Sequence, residues 1–379
     1  MTAAGLIFSN IHDATIPELT RMRTIASVPF GCKYRLIDFP LSNMVNAGID
    51  KVGIVTHNNY QSLLDHIGTG KDWDLARRSG GIKILPPFIT AYDNAAANKL
   101  YTTRLEALFG VLNFIRRCTE EYIVMSDCDI ICNIDIADVL KTHRKTKSDI
   151  TIVTKKINPA YYPLSKDIET VTADCDGNIT DVCEYMASEE QGQIEISMNV
   201  MVMQRQLLYK MLLDAAAHGY NSFYRDIVVK NIGKLKVTAY RYAGYYSLVG
   251  SLASYFSASM KLLEPDVRAG LFAVDNRPIY TKVRNSPPTK YIEGASVKNS
   301  IVADGCVIEG TVENSILFRG VRVGKGTVVR NCILMQDTCV GDDASLNCVI
   351  SDKNVMIKDG RNLSGHETMP FFLGKGVMI

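Results

Sequence analysis

The chain has 379 residues, 47% apolar and 22% charged, enough for more than one hydrophobic core in a protein of ordinary globular composition. Its 42 basic and 40 acidic residues leave a net charge of +2, and no run of like charge could track a nucleic-acid backbone or lie on a lipid surface. No nucleic-acid partner and no membrane partner is therefore expected, and no apolar run has the length to span a bilayer.

Met1 to Phe8 lacks the basic start of an export signal and reads as a first strand. The ten cysteines include no C-x-x-C pair, Cys128 and Cys132 coming nearest, and read as reduced structural thiols in a cytoplasmic protein. Up to about residue 245, short apolar runs alternate with helical patterns, the order of a mainly parallel sheet covered by helices. Strands are predicted at Ala3–Phe8, Lys51–Thr56, Ile82–Leu85, Tyr122–Ser126, Asp149–Thr154, Ile196–Met203 and Lys236–Tyr242. Helices are predicted at Leu41–Ala47, Tyr60–His66, Thr103–Cys118, Ile136–Lys147, Gln204–His218 and Phe223–Ile232. Such sheets bind ligands at the carboxyl ends of their strands, which places chemistry just after Phe8, Val124 and Met203.

A helix over Leu252–Leu263 leads into Pro265–Pro288, which holds four prolines, shows no periodicity and reads as a surface linker. Beyond it a repeat begins: Asn299-Ser300-Ile301-Val302, Asn314-Ser315-Ile316-Leu317, Asn331-Cys332-Ile333-Leu334 and Asn347-Cys348-Val349-Ile350. Successive copies start 15, 17 and 16 residues apart, with shorter valine echoes between them. Each strand is too short to bury its own apolar side chains, so the coils must stack, with Asp-Gly, Lys-Gly and Gly-Asp pairs at their corners. An antiparallel sandwich is the alternative reading.

Near the start stands the block Val28-Pro29-Phe30-Gly31-Cys32-Lys33-Tyr34-Arg35-Leu36-Ile37-Asp38-Phe39-Pro40-Leu41-Ser42-Asn43. With the order of sheet domain then coil, it resembles the ADP-glucose pyrophosphorylases (glucose-1-phosphate adenylyltransferases) over essentially the whole chain. The resemblance implies an α/β fold: a nucleotide-sugar-transferase, Rossmann-like, mainly parallel sheet domain over residues 1–250, a helix and linker over 251–289, and a left-handed parallel β-helix over 290–379. Catalytic members of that family join ATP and glucose 1-phosphate into ADP-glucose for glycogen synthesis and release pyrophosphate.

That transfer needs a close backbone cradle for the triphosphate, cations around it, and magnesium held by carboxylates. The family's cradle is a glycine-rich loop after the first strand, but here Ser9 to Leu19 follows and no glycine occurs between Gly5 and Gly31. Side chains, with the charges of Asp13 and Glu18, keep a polyphosphate off that backbone. Ile25 stands where the family has its catalytic lysine, and Thr103 and Arg104 replace a nucleotide-contacting glycine and threonine, adding bulk.

Asp129 matches the first magnesium aspartate, with Asp127 as a neighbouring substitute, while Leu248 occupies the place of the second. The alternative for Asp129 is a turn cap. Glu184-Tyr185-Met186 has lost the phosphate-binding lysine of the family's glutamate-lysine-proline motif, and Ser222-Phe223-Tyr224 replaces aspartate-phenylalanine-glycine. Glu184, Ser197, Asn199 and Phe223 remain at sugar-contact positions, where strand-end and core roles are equally open to them. The six histidines, His12 among them, are scattered with no i, i+4 pair or Cys/His cluster, so no zinc site is signalled.

Arg21, Arg23, Lys33 and Arg35 lie in or beside the block. The resemblance implies that anionic regulators bind at arginines matching Arg23 and Arg35, whose planar forks suit phosphate oxygens. For Arg35 the alternative is a scaffold pairing with Asp38 or a backbone carbonyl.

The expectation is a regulatory, catalytically deficient subunit with no catalytic residues and no cofactor of its own, Mg2+ belonging to a catalytic paralogue. That paralogue is the expected partner in a hetero-oligomer, a tetramer, with a homotetramer for the chain alone and sugar phosphates or nucleotides as effectors. Two alternatives stand beside it: an active nucleotidyltransferase that uses Asp127 and Asp129 as its metal pair, and, more remotely, a hexapeptide-repeat acyltransferase. The latter needs a histidine base on the coil, and none occurs between Pro288 and Gly365.

Overall fold

The computed structural model describes residues 2–77, 79–86, 101–159, 168–186 and 192–379. Nine strands form its main sheet: β1 (Ala3–Phe8), β2 (Lys51–Val55), β3 (Gly81–Leu85), β4 (Tyr122–Asp127), β5 (Ile150–Ile157), β6 (Glu169–Ala173), β7 (Ile179–Glu184), β8 (Ile194–Gln204) and β9 (Val237–Arg241). The order β4-β1-β2-β3 is parallel throughout. Every residue of β1 and β4 is buried, as expected of strands covered on both faces. One apolar cluster lies on each side, around Val124 and Phe39 on one and Leu105 and Leu208 on the other.

β8 runs antiparallel to β4 and β5, so its carboxyl end lies beside Tyr122, at the opposite edge from the carboxyl ends of β1 and β4. The segment after Met203 is thus turned away from the strand-end cleft, contrary to the sequence expectation. A register shift between Ser197 and Met201 instead presents the middle of β8 there. The β6–β7 hairpin was not predicted. Its faces alternate weakly, and its signal is Asp176-Gly177 at the turn, with Gly177 at φ 81°.

The single helix expected over Thr103–Cys118 is two, α1 (Arg104–Gly110) and α2 (Leu112–Arg117), which meet at Val111. Pro265–Pro288 is linker only in its second half. Pro265–Phe272 is a helix with proline in its first turn, where the missing N–H costs nothing, and Leu271 buried. The rest crosses the sheet domain, tied by Tyr280 N to Ser42 Oγ (2.8 Å) and Asn46 Nδ2 to the Pro278 carbonyl (3.0 Å).

Residues 290–373 wind into a coil with three faces, each a five-stranded parallel sheet. Ile301, Ile316, Ile333 and Ile350 stack in register on one face. The fourth copy is therefore offset by one residue from the sequence alignment, with Ile350 rather than Val349 in the isoleucine column. Asn299, Asn314 and Asn331 turn their corners at φ 42°, 44° and 50°, a left-handed region asparagine tolerates. Cys348 takes that position in the fourth coil at φ 50°, while the Asn347 side chain still accepts from Asn331 Nδ2 at 3.0 Å.

The retained block packs against this coil. Phe30 meets Phe39 and Tyr255 edge to face, and Tyr34 stacks on Phe272 with ring centroids 4.8 Å apart. The same apolar cluster runs on through Ile316, Phe318, Ile333 and Ile350, so the core of the sheet domain continues into the coil. Across the seam the Arg23 guanidinium donates to both carboxylate oxygens of Asp352, at 2.7 and 2.6 Å, with both side chains buried.

Candidate functional site

Phe8 and Asp127 are paired at the carboxyl ends of β1 and β4. The chain leaving β1 turns back over this point and sets His12 Nε2 2.8 Å from Asp127 Oδ2 and 3.6 Å from Asp129 Oδ2. From the other side Arg104 donates to the same Asp127 oxygen at 2.5 Å. Thr103 caps α1 in a reciprocal capping box with Glu106, which aims Arg104 into the cleft from the first residue of the helix. Asp127 and Asp129 thus lie together beside His12, and two cations from the chain itself, His12 and Arg104, face them.

The loop after β1 is filled in a similar way. Asn10 Oδ1 accepts from Thr56 Oγ1 (2.8 Å) and the His57 amide (3.1 Å), and Asn10 Nδ2 donates to Asp13 Oδ2 at 2.7 Å. Asp13 Oδ1 takes the Ile25 amide at 2.7 Å. Side-chain oxygens thus hold backbone amides that an anion could otherwise use.

Tyr224 closes the sugar side. Its hydroxyl donates to Asn199 Oδ1 (2.9 Å) and accepts from Ser197 Oγ (2.6 Å), and its ring lies under the Arg104 guanidinium at 5.5 Å. Ser197 and Asn199 therefore do meet in the cleft, with Asn199 at φ 53°, yet a tyrosine occupies the space before them. Phe223 is core, packed edge to face on Tyr224. Glu184 is exposed at the end of β7 and lines a separate open groove. Between His12, Asp129, Ser197, Asn199 and Leu248 the described residues leave a cavity of about 10 Å³, room for about one water.

The electrostatics follow from this crowding. Burial would lower the His12 pKa, but Asp129 and Asp127 outweigh it and push it up to about 9. Burial works against the Asp127 carboxylate, and Arg104 and His12 hold its pKa below the usual range. Asp129 is raised to about 6 by burial and by Asp127, and Glu169 to about 7 by burial. His12, Arg104, Tyr224 and Glu169 are functional neighbours the sequence reading missed or counted only as bulk. The available signal was topological, since His12 and Asp127 follow Phe8 and Val124, two of the strand ends where chemistry was expected.

Magnesium for nucleotide transfer does not fit these residues. Leu248 lines the cavity where a second carboxylate is needed, Asp127 is engaged by Arg104, and His12 offers nitrogen to an ion that prefers oxygen.

At the seam, Lys33 and Arg35 line a second cavity, of about 30 Å³, with Lys282, Arg284, Arg319 and Lys353. Arg35 donates to the carbonyl and hydroxyl of Ser62 at 2.6 and 2.8 Å, and its own amide donates to Asp38. Arg23 is committed to Asp352, and Arg21 is exposed outside the cavity lining. Burial, with Arg35 and Arg23 close by, lowers the Lys353 pKa to about 7.

Residues 16–265 match the nucleotidyl transferase family, and residues 287–368 match the GlmU-like C-terminal hexapeptide family. The chain is 36% identical to the glycogen biosynthesis protein GlgD of Bacillus subtilis (strain 168), across 99% of this chain and 96% of that protein. It is 33% identical to a glucose-1-phosphate adenylyltransferase of Clostridium perfringens (strain SM101 / Type A), across 88% of this chain and 84% of the relative. The chain belongs to the glucose-1-phosphate adenylyltransferase family. A second GlgD, from Geobacillus stearothermophilus, is 35% identical across 86% of this chain and 82% of its own length. Family membership makes the three-faced coil a left-handed parallel β-helix and ties the chain to glycogen biosynthesis. Among the described residues no helix is long and apolar enough to cross a membrane.

Proposed function

We propose that this chain is a catalytically deficient, regulatory subunit of a cytoplasmic glucose-1-phosphate adenylyltransferase, working in assembly with a catalytic paralogue that supplies the Mg2+ chemistry. The observation that carries the reading is that Arg104 and Tyr224 fill the cleft and bond to the acidic and polar residues a substrate would meet. Removing a single transition-state donor costs roughly a hundred- to a thousandfold in rate, and here cradle, lysine and second carboxylate are replaced together. Assembly, as a hetero-tetramer or as a homotetramer for the chain alone, is supported by the last coil of the β-helix, where Met356, Phe371 and Met378 are exposed.

Regulation is assigned to the seam. Lys33 and Arg35 there, with Lys282, Arg284 and Lys353, present a cationic cavity suited to a sugar phosphate or nucleotide. At about 30 Å³ the cavity has to widen for such a ligand, so binding would favour a conformation in which the two domains part slightly. The test is ADP-glucose formation from ATP and glucose 1-phosphate by the chain alone, by its catalytic paralogue alone, and by the mixture. The mixture is expected to exceed the paralogue, with no turnover by the chain. Turnover by the chain at the paralogue's rate, abolished by Asp129→Asn, would make it an active enzyme and overturn the proposal.

A further inference from the structure

We propose that the open end of the first coil of the β-helix is a self-association surface, which stacks on the same end of a second copy of this chain about a twofold axis. The inference deepens the self-assembly proposed above and rests on that part of the reading alone, not on the regulatory role or the catalytic deficiency. It concerns the opposite end of the coil from the exposed Met356, Phe371 and Met378.

Backbone polarity is the first support. The first coil places one strand on each face: β10 (Lys290–Tyr291), β11 (Ser296–Lys298) and β12 (Ile301–Val302). The amides of Lys290, Ile292, Ser296, Ile301 and Ala303 donate to carbonyls of the second coil at 2.8–3.1 Å. Successive peptide groups of a strand face opposite neighbours, so those of Tyr291, Val297 and Val302, one on each face, point off the end of the coil. Three such edges around a triangle are a template for further strands.

The interior is open at the same place. Tyr291, Val297 and Val302 head the inward columns that continue in Ile308, Val312 and Leu317. Yet Tyr291 is 55% exposed, and Val297 and Val302 are only partly buried. The far end is treated differently. There the amides of Met356 and Lys358 donate to the carbonyls of Val377 and Ile379, both at 2.9 Å, and Ile379 packs against the coil interior. That cover obstructs head-to-tail stacking and leaves the pairing of like ends, a contact that closes on itself.

Strand lengths and charge select a second copy as the occupant. A twofold axis across β11 sets this strand antiparallel to its own copy with Val297 facing Val297, a pair that exchanges both of its N–H to C=O bonds. The same rotation sets β10, of two residues, against β12 of the other copy, also of two. It lays the exposed Lys298 beside Ser296 of the second copy, within reach of the exposed Glu293 at the corner before that strand, and does so twice.

The test reads the mass of the full-length chain in solution by light scattering over a dilution series. The wild type is expected as an even-numbered oligomer. Glu293→Lys and Lys298→Glu each put like charges across the contact twice, and each should weaken it at least about tenfold and halve the mass on dilution. Mixing the two variants sets opposite charges face to face again and should restore the wild-type mass, a gain that misfolding could not produce. A wild type that is monomeric throughout, or a mixture of the two folded variants that fails to reassociate, would overturn the contact. Single variants that keep the full mass would overturn it too, while leaving self-assembly to another surface. Association that appears only when an intact glucose-1-phosphate adenylyltransferase is added would give the end to that partner, overturning self-pairing and leaving the subunit role in place.

Discussion

The cleft at the strand ends and the seam against the β-helix are both lined with charge, and they use it in opposite ways. In the cleft, Arg104 and His12 meet Asp127 and Asp129 within the protein, and Tyr224 satisfies Ser197 and Asn199. At the seam, Lys33, Lys282, Arg284 and Lys353 face a common cavity, with Arg35 beside them anchored to Ser62 rather than to an acid. Polar groups answered from inside leave a substrate little to bind, whereas an excess of one sign leaves a ligand something to neutralise. The cleft's charges are thus answered from within, while the seam's cations outnumber the acids around their cavity.

The largest effect expected from disturbing this contrast is at the seam's own internal pair. Asp352→Ala strands a buried guanidinium and should cost about 3–5 kcal/mol of unfolding free energy, read from denaturant midpoints. A loss below about 1 kcal/mol would mean the seam is held by apolar packing alone.

Next comes a pH effect. The Lys353 pKa is lowered from its ordinary value to about 7, so between pH 7 and the ordinary lysine range the unfolded chain holds a proton that the folded chain does not. Its charged form opposes folding fully below pH 7, and that opposition is relieved as pH rises. Lys353→Met should remove a slope of at most about 1.4 kcal/mol per pH unit, making the variant relatively more stable at pH 6 than at pH 9. An unchanged slope would place the seam's cations in water.

The smallest effect lies in the cleft. Tyr224→Phe leaves Ser197 and Asn199 short of one partner and should cost about 1 kcal/mol, with no ADP-glucose formation gained. Turnover appearing in that variant would show that the cleft was masked rather than rebuilt.

Much of the fold was legible because its strands are short apolar runs. Ala3–Phe8 and Tyr122–Asp127 are buried on both faces and read as strands without their neighbours. The β6–β7 hairpin was lost because Thr172, Thr180, Asp181 and Glu184 leave it no clean alternation. Pro265 was read as a breaker when its position made it a helix start. The refilling of the cleft was less legible, since His12 and Asp127 are 115 residues apart and only the sheet register makes them neighbours. Substitution patterns around the retained block could say that a cradle was missing. They could not say that the replacing side chains would bond to the residues left behind.

Arg23 and Asp352 are 329 residues apart in a chain of 379. At roughly 5–20 residues per second, a ribosome adds the carboxylate on the order of tens of seconds after the arginine has been made. Through that interval the nascent sheet domain carries an arginine whose buried position has no counterion, so it cannot reach its final packing before the last coils emerge. Closure of the seam is thereby a late event in the life of each new chain, and truncation within the final coils would be felt at the amino-terminal end.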